Sequence, residues 1–491
     1  MSPAMLRFVC LLYFLVGPAL ATAESEFTAV AYNVENLFDL DETALFNDYR
    51  IAAGKPFAYN RYKLLTKLQN TARVLSEFSD GKGPDLILFQ ELEGDFSPDS
   101  RMGLPAEFLR RYAHTTAEAM LTDQWKSTYA GLPAQAWLLK ALHDAGMVGY
   151  EVACPPAETD QEGIAHVNAL FSRFPITSVD YHSLPKARSI IEATVEIHGC
   201  PLYVFVNHWK SGASNLRREP IRVENARVLR SLIDSRLEFD PQADILIGGD
   251  LNSHYNHSAL FPQLDATGIN HILGSQGNED SVRRPDGPAL YNLWHELPPE
   301  QRASEVWRGK QGTLMHLIIS RGLYDDVGIS YSDNSFDTLA QPGLNADALG
   351  RPFGWSFAGR AGGGFSDHFP VEARFCLAPV AYAEPTSLGR MPEIESPLRY
   401  TPASGIDLLD GTFLAEVADD DLGQHLGTFY RVHGRITSLK PLRIEVDDYK
   451  WPAYAPDPEI SERLRKGLTG DWVVTLGVWR GQRQFIIEGI L

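Results

Sequence analysis

Cysteine is scarce in this chain, with four in 491 residues. Beyond the N-terminal segment only Cys154, Cys200 and Cys376 remain. Their spacing fits no zinc site and permits one disulfide with a spare thiol, or three buried thiols. Positive charge is short as well: 44 Lys and Arg stand against 63 Asp and Glu, a formal net charge of −19. That excludes a generally basic surface, so a polyanion would have to be met by local bases and metal ions. Long apolar runs are missing too. Phe8 to Leu20, preceded by Arg7, is too short to span a bilayer. With Ala21-Thr22-Ala23 behind it, the stretch reads as a signal peptide over residues 1–23. Cys10 lacks the small neighbours of a lipid-attachment site, so no membrane anchor is expected. There is no Gly-x-Ser-x-Gly nucleophile turn and no Cys-His pair of zinc type. These absences leave an exported chain, periplasmic or extracellular, whose chemistry must rest on Asp, Glu, Asn and His.

What is present is enough for two sizeable cores: 44% of the residues are hydrophobic and 22% charged. Gly248-Gly249-Asp250-Leu251-Asn252-Ser253 is the most informative stretch. It closes the apolar run Asp244–Ile247, a short buried strand, and its glycines permit a sharp turn that delivers a carboxylate and an amide at the strand exit. The same arrangement recurs along the chain. Phe27–Tyr32 reads as a strand leaving through Asn33 and Glu35. The apolar spacing over 61–78 predicts a helix, followed by a strand at 85–89 that leaves through Gln90-Glu91. Residues 97–148, rich in Ala, Leu, Arg and Trp, read as an inserted helical segment. Strands follow at 149–153 and 166–172, the latter ending at Arg173. Two more over 189–206 leave through Asn207-His208-Trp209-Lys210. A helix at about 216–238 leads back to Asp244. A strand at 313–320 and a glycine-rich loop at 359–364 lead to Asp367-His368 and a last strand at 371–375.

Five separate strand exits thus offer carboxylates, amides or imidazoles. Carboxylate and amide oxygens suit hard divalent cations, and imidazoles suit proton transfer and phosphate contact. The chemistry suggested is metal-assisted hydrolysis of a phosphate ester by water.

The ordered motifs NVENLFD, FQE, NHWKSG, GGDLNS and FSDHFPV resemble those of the endonuclease/exonuclease/phosphatase superfamily, the fold of pancreatic-type deoxyribonuclease. Within it they look most like bacterial secreted nucleases. The resemblance spans roughly residues 27–376 and implies a four-layer α/β sandwich, two packed mixed sheets flanked by helices. It implies Glu91 as principal ligand of Mg²⁺ or Mn²⁺, with Ca²⁺ as an alternative. Asn33, Glu35 and Asp367 stand as further metal ligands; His208, Asp250, Asn252 and His368 as catalytic residues; and Asn207, Lys210 and Arg173 as substrate contacts. The substrate implied is nucleic acid, DNA or RNA or both, with no protein partner. A phosphodiesterase on lipid or small phosphoesters is the alternative, and a weakened nucleic-acid-binding protein a third. One departure stands out. The superfamily usually places an Asp where Met315 stands, and that Asp orients the last histidine.

The superfamily-like domain is expected over 24–378 and a Pro-rich linker over 379–401. The short alternating strands of 402–491 read as a small OB-like β-barrel. Trp451, Tyr454, Trp472 and Trp479, with Arg480 and Arg483, would offer such a barrel either a face for single strands or, as aromatics in a small barrel more often do, its core.

Overall fold

The structure, a computed structural model, describes residues 26–41, 58–95, 102–156, 166–325, 327–377, 406–479 and 482–491. The signal segment and the Pro-rich linker expected from sequence lie outside these residues. The chain opens with β1 (Glu26–Leu37), helix α1 (Arg61–Leu75) and β2 (Leu86–Glu93). Three short helices follow, α2 (Pro105–Arg111), α3 (Ala117–Leu121) and α4 (Ala134–Asp144). Then come β3 (Glu151–Ala153), β4 (His166–Ser172), β5 (Ile176–His182), β6 (Arg188–Ile197) and β7 (Cys200–His208). Helix α5 (Glu219–Phe239) returns the chain to β8 (Ile245–Asp250). β9 (Leu290–Asn292) precedes a hairpin of β10 (Glu305–Trp307) and β11 (Lys310–Gly312). The domain closes with β12 (Met315–Ser320), β13 (Ile329–Tyr331), β14 (Asp337–Thr338) and β15 (Val371–Leu377).

These strands form two mixed sheets. The first has the order β13-β15-β1-β2-β4-β3, with β14 beside β15; the second has the order β5-β6-β7-β8-β12-β9. Alternation along the strands decides the layers. On β1, Ala29 and Ala31 enter the core between the sheets with Leu88, Val206 and Leu317, whereas Val30 and Tyr32 face a second core under α1 and α4. A third core, with Ile245, Ile247, Ala226 and Leu229, fixes α5 to the other sheet. The result is the expected four-layer α/β sandwich. Asn60 caps α1 by accepting the backbone N–H groups of Tyr62 and Lys63. The helix stops at Leu75, short of the 78 read from periodicity, because Phe78 turns extended and is buried in the core. Cys154, Cys200 and Cys376 are free thiols, each partly buried.

Asp244, at the mouth of β8, accepts the backbone N–H of Ile329 at 3.1 Å, and burial raises its pKa from 3.8 to about 7. The folded carboxyl therefore holds a proton that the unfolded one has already lost, and stability falls as pH rises from 3.8 through 7. Asp244→Asn keeps the acceptor and removes the charge. At pH 8 it should stabilise the protein by on the order of 2 kcal/mol, allowing for partial solvation, and at pH 4 by nothing. Urea unfolding at the two pH values checks this; equal effects at both would refute it.

The C-terminal domain contains β16 (Leu409–Asp410), β17 (Tyr430–Leu439), β18 (Leu442–Val446), β19 (Tyr449–Tyr454), β20 (Thr469–Trp479) and β21 (Gln482–Ile490). Neighbours run β17-β18-β19-β21-β20, and β20 pairs back to β17, so five strands close into a barrel. The barrel aromatics divide between the two readings. Trp451 and Trp472 fill the barrel core, and Arg483 is tied to Asp419. Tyr454 and Trp479 remain exposed; Arg480 lies outside the described residues.

Candidate active site

Strand register brings the polar exits together. β1 runs parallel to β2 with Asn33 beside Gln90, and β7 runs parallel to β8 with His208 beside Asp250. The carboxyl ends of both sheets therefore open at one edge of the sandwich. Asp250 is the hub. Its Oδ1 accepts the Asn252 N–H at 2.8 Å, and its Oδ2 lies 3.3 Å from Asn33 Nδ2, 3.5 Å from His208 Nε2 and 3.6 Å from His368 Nε2. Asn33 Nδ2 also donates to Glu91 Oε1 at 3.2 Å, so one amide joins the carboxylates at the ends of both sheets. Glu91 Oε1 stands 3.9 Å from His208 Nε2.

The spacing of Asn33 and Glu35 suggests one strand face, but β1 bulges between Asn33 and Leu37. Glu35 and Asn36 take positive φ of 50° and 62°. Glu35 still reaches the site, and its Oε2 accepts the Trp355 N–H at 2.6 Å. Asn33 Oδ1 is engaged by the Glu35 N–H, so Asn33 meets its neighbours as a donor, not as the oxygen ligand expected. Asn252 braces the turn instead of reaching the reaction centre: Oδ1 accepts the Gly212 N–H and Nδ2 donates to the Trp209 carbonyl.

Two of the three expected substrate contacts move elsewhere. Asn207 is buried, with its amide spent on the Phe205 carbonyl and the Trp209 indole N–H. Arg173 follows the far end of β4, where Ser172 pairs with Leu86 at the start of β2, opposite the site. There it is paired with Asp85 at 3.0 Å and donates to the Gly83 and Val148 carbonyls. Lys210 stays at the rim. Burial, and then the charges of Arg218, Arg188 and Lys186, lower its pKa.

Four residues escaped the sequence reading. Arg188, at the start of β6, is paired in register with His208, and its Nη1 lies 3.4 Å from His208 Nε2. Its Nη2 lies 3.4 Å from His166 Nδ1 on β4. Ser366 donates its hydroxyl to the Asn33 carbonyl at 2.7 Å and accepts the His368 N–H at 3.1 Å. Lys67, fully buried on α1, donates to the Phe365 carbonyl and lies 4.8 Å from the Trp355 ring centre. Only the pairing register brings Arg188 here, and no local motif announces it.

The two histidines of the site differ in charge. Burial, followed by Arg188, pushes His208 well below the ordinary imidazole value, so it is neutral. Burial opposes the charge on His368 as well, but Asp367 outweighs it and holds the imidazolium well above that value. Asp367, at the rim with 57% of its side chain exposed, accepts from His368 Nδ1 at 2.7 Å. The orienting acid missing at position 315 is thus supplied by the neighbouring residue, while Met315 packs in the core between the sheets.

Glu35, Glu91, Asp250 and Asp367 place four carboxylates at this edge. Burial, and then the Asp367 charge, raise Glu35 well above its ordinary range; burial raises Asp250 too. Lys67 offsets part of this charge, though burial lowers it to about 8. A hard, oxygen-seeking divalent cation such as Mg²⁺ or Mn²⁺ suits oxygen donors of this kind, and Glu91, Glu35 and Asp367 are the residues that would hold it. Among the described residues, however, the acidic oxygens that already converge within 4.8 Å are those of Asp39, Asp41 and Glu93. This second acidic group lies near the same ends of β1 and β2, and Glu93 accepts the Asp39 N–H.

Carboxylates, two imidazoles of opposite charge state and an arginine gathered at a sandwich edge suit the metal-dependent hydrolysis of phosphate esters. Residues 175–375 match the sequence model of the Endonuclease/Exonuclease/phosphatase family, which supports the superfamily resemblance carried by the motifs. Its members are typically metal-dependent phosphodiester hydrolases. Similar solved structures include truncated Caenorhabditis elegans TDP2, 14% identical, covering 72% of this chain and 97% of that one, TM-score 0.36. D. rerio TDP2 complexed with single strand DNA product is 12% identical, covering 72% and 99%, TM-score 0.38. Beta toxin from Staphylococcus aureus is 14% identical, covering 71% and 99%, TM-score 0.37. No curated protein matches the chain.

Proposed function

We propose that this chain is an exported, divalent-metal-dependent nuclease that hydrolyses phosphodiester bonds of DNA, RNA or both, with endonuclease-type attack. The observation that carries the reading is Asp250 Oδ2, within 3.6 Å of both His208 Nε2 and His368 Nε2 and within 3.3 Å of Asn33. When bound, a divalent cation supplies charge neutralisation for the phosphate oxygens. Asp250, poised between the two rings, orients the attacking water and draws its proton. Neutral His208 meets the phosphate beside Arg188, whose guanidinium balances charge in the transition state. His368 carries its proton on Nε2, facing the site, and Asp367 fixes the ring from Nδ1; it supplies that proton to a phosphate or departing oxygen. The signal-like N-terminus supports export.

The second reading, a lipid or small phosphodiester as substrate, is favoured by the net charge of −19, which weakens non-specific capture of a polyanion. One assay separates the two. Mature protein with Mg²⁺ should nick supercoiled plasmid or degrade single-stranded RNA, and EDTA should abolish both. Hydrolysis of bis-p-nitrophenyl phosphate with plasmid and RNA left intact would sink the nuclease reading and leave the phosphodiesterase.

A further inference from the structure

The loop between β14 and β15 carries the last site residues, and the barrel grips it. Arg351 makes a bidentate pair with Glu488 on β21, at 2.8 and 3.0 Å, and its Nε donates to Asp347 at 2.8 Å. Both carboxylates are nearly buried, with 7% and 9% of their side chains exposed. Further along, the Arg360 N–H donates to the Asp420 carbonyl at 3.0 Å, and Ala358 belongs to the barrel core. The two backbones approach so closely that a Cβ added at Gly359 would lie 2.7 Å from the Gly423 nitrogen.

The other side of the same loop faces the site. The Trp355 N–H caps Glu35, Lys67 and Asn70 hold the Phe365 and Gly364 carbonyls, and Ser366 ties Asn33 to His368. Ser356 and Gly363 exchange two backbone bonds, at 2.8 and 3.0 Å, which makes the loop a closed unit between barrel and site. Of the described barrel residues that could meet a strand, Trp451 and Trp472 are core and Arg483 is spent on Asp419.

We propose that the barrel serves the reaction as an internal clasp, with Arg351 and Glu488 as positioning residues acting through Trp355 on Glu35 and through the loop on Asp367 and His368. A bidentate guanidinium–carboxylate pair suits that task because it fixes orientation as well as distance. The proposal rests on the metal-dependent hydrolase reading, so its test includes a measurement that needs no turnover.

The test uses the full mature chain and three substitutions: Glu488→Gln, Arg351→Ala and, at an exposed barrel residue, Lys450→Ala. Mn²⁺ binding is followed by electron paramagnetic resonance of the free ion, and hydrolysis of bis-p-nitrophenyl phosphate gives kcat and KM. Loss of the clasp should weaken Mn²⁺ binding by about 10-fold in Arg351→Ala, the scale of losing an outer support of a metal ligand. Glu488→Gln, which keeps one acceptor, should show a smaller loss. In both, kcat should fall with KM unchanged, and Lys450→Ala should match the parent throughout. Unchanged Mn²⁺ binding in folded Glu488→Gln and Arg351→Ala would overturn the proposal, even with a lowered melting temperature, since a merely structural brace gives that result. A raised KM at constant kcat would also overturn it, in favour of a capture surface. If the parent hydrolyses nothing, the Mn²⁺ comparison still decides.

Discussion

Asp250→Asn should abolish most of the hydrolysis, lowering kcat by about 10³-fold, while leaving the protein folded. The argument comes from the two oxygens. Oδ1 accepts the Asn252 N–H at 2.8 Å, a bond that an amide oxygen can make equally well, so the turn after β8 survives. Oδ2 faces Asn33, His208 and His368, and there the substitution removes the charge that draws the water proton and offsets the His368 imidazolium. The cost to stability should stay small, limited to the new amide nitrogen meeting the Asn33 donor and to the less balanced His368. The side chain is 3% exposed and burial already opposes its ionisation, so an uncharged isostere lightens the electrostatic strain. Kinetics on bis-p-nitrophenyl phosphate together with thermal denaturation test both halves. A loss of less than 10-fold in a folded variant would show that Asp250 does not handle the proton.

Gly249→Ala should fail in the opposite way, through the fold. Gly249 sits at φ +124°, where a side chain is strained, and a Cβ built there lies 2.1 Å from the Asn207 carbonyl oxygen and 2.9 Å from Gln90 Nε2. The carbonyl belongs to the backbone of β7, which cannot yield without losing register, and the amide is a buried β2 side chain that would also have to move. The expected loss is on the order of 4 kcal/mol or more, in the range reserved for core disruption. Urea unfolding of the purified variant measures it. A loss below about 1 kcal/mol would mean that the strand can shift, contrary to the register seen here.

Much of this architecture was legible because apolar runs and turn residues alternate cleanly. The buried strand before Gly248, the helix before Gly81 and the exits at Glu91, His208 and Asp250 all follow from local pattern. Side-chain allegiance at those exits was not legible. Asn207 and Asn252 have the same composition signal as Asn33, yet they spend their amides on nearby backbone carbonyls and N–H groups, a choice fixed by turn geometry. Arg173 and Arg188 lie fifteen positions apart at the ends of neighbouring β runs. Only the antiparallel register sends one away from the site and the other into it. The barrel aromatics stayed divided between face and core for a related reason: alternation tells which residues share a face but not which face is inward. Met315 looked like a lost function, because sequence order does not reveal that Asp367 bends back to the ring beside it.

The site belongs to neither sheet. Asn33 and Glu91 ride on one and His208 and Asp250 on the other, so the cage is a keyed joint whose tolerance is set by how far the sheets can slide. Small residues at the seam leave little play. A Cβ added at Gly248 would lie 2.7 Å from a Leu88 methyl carbon of the opposite sheet. Machining of Asn33, Glu91, His208 and Asp250 is thereby delegated to the packed interior, and only Glu35, Asp367 and His368 depend on the loop between β14 and β15 for their setting.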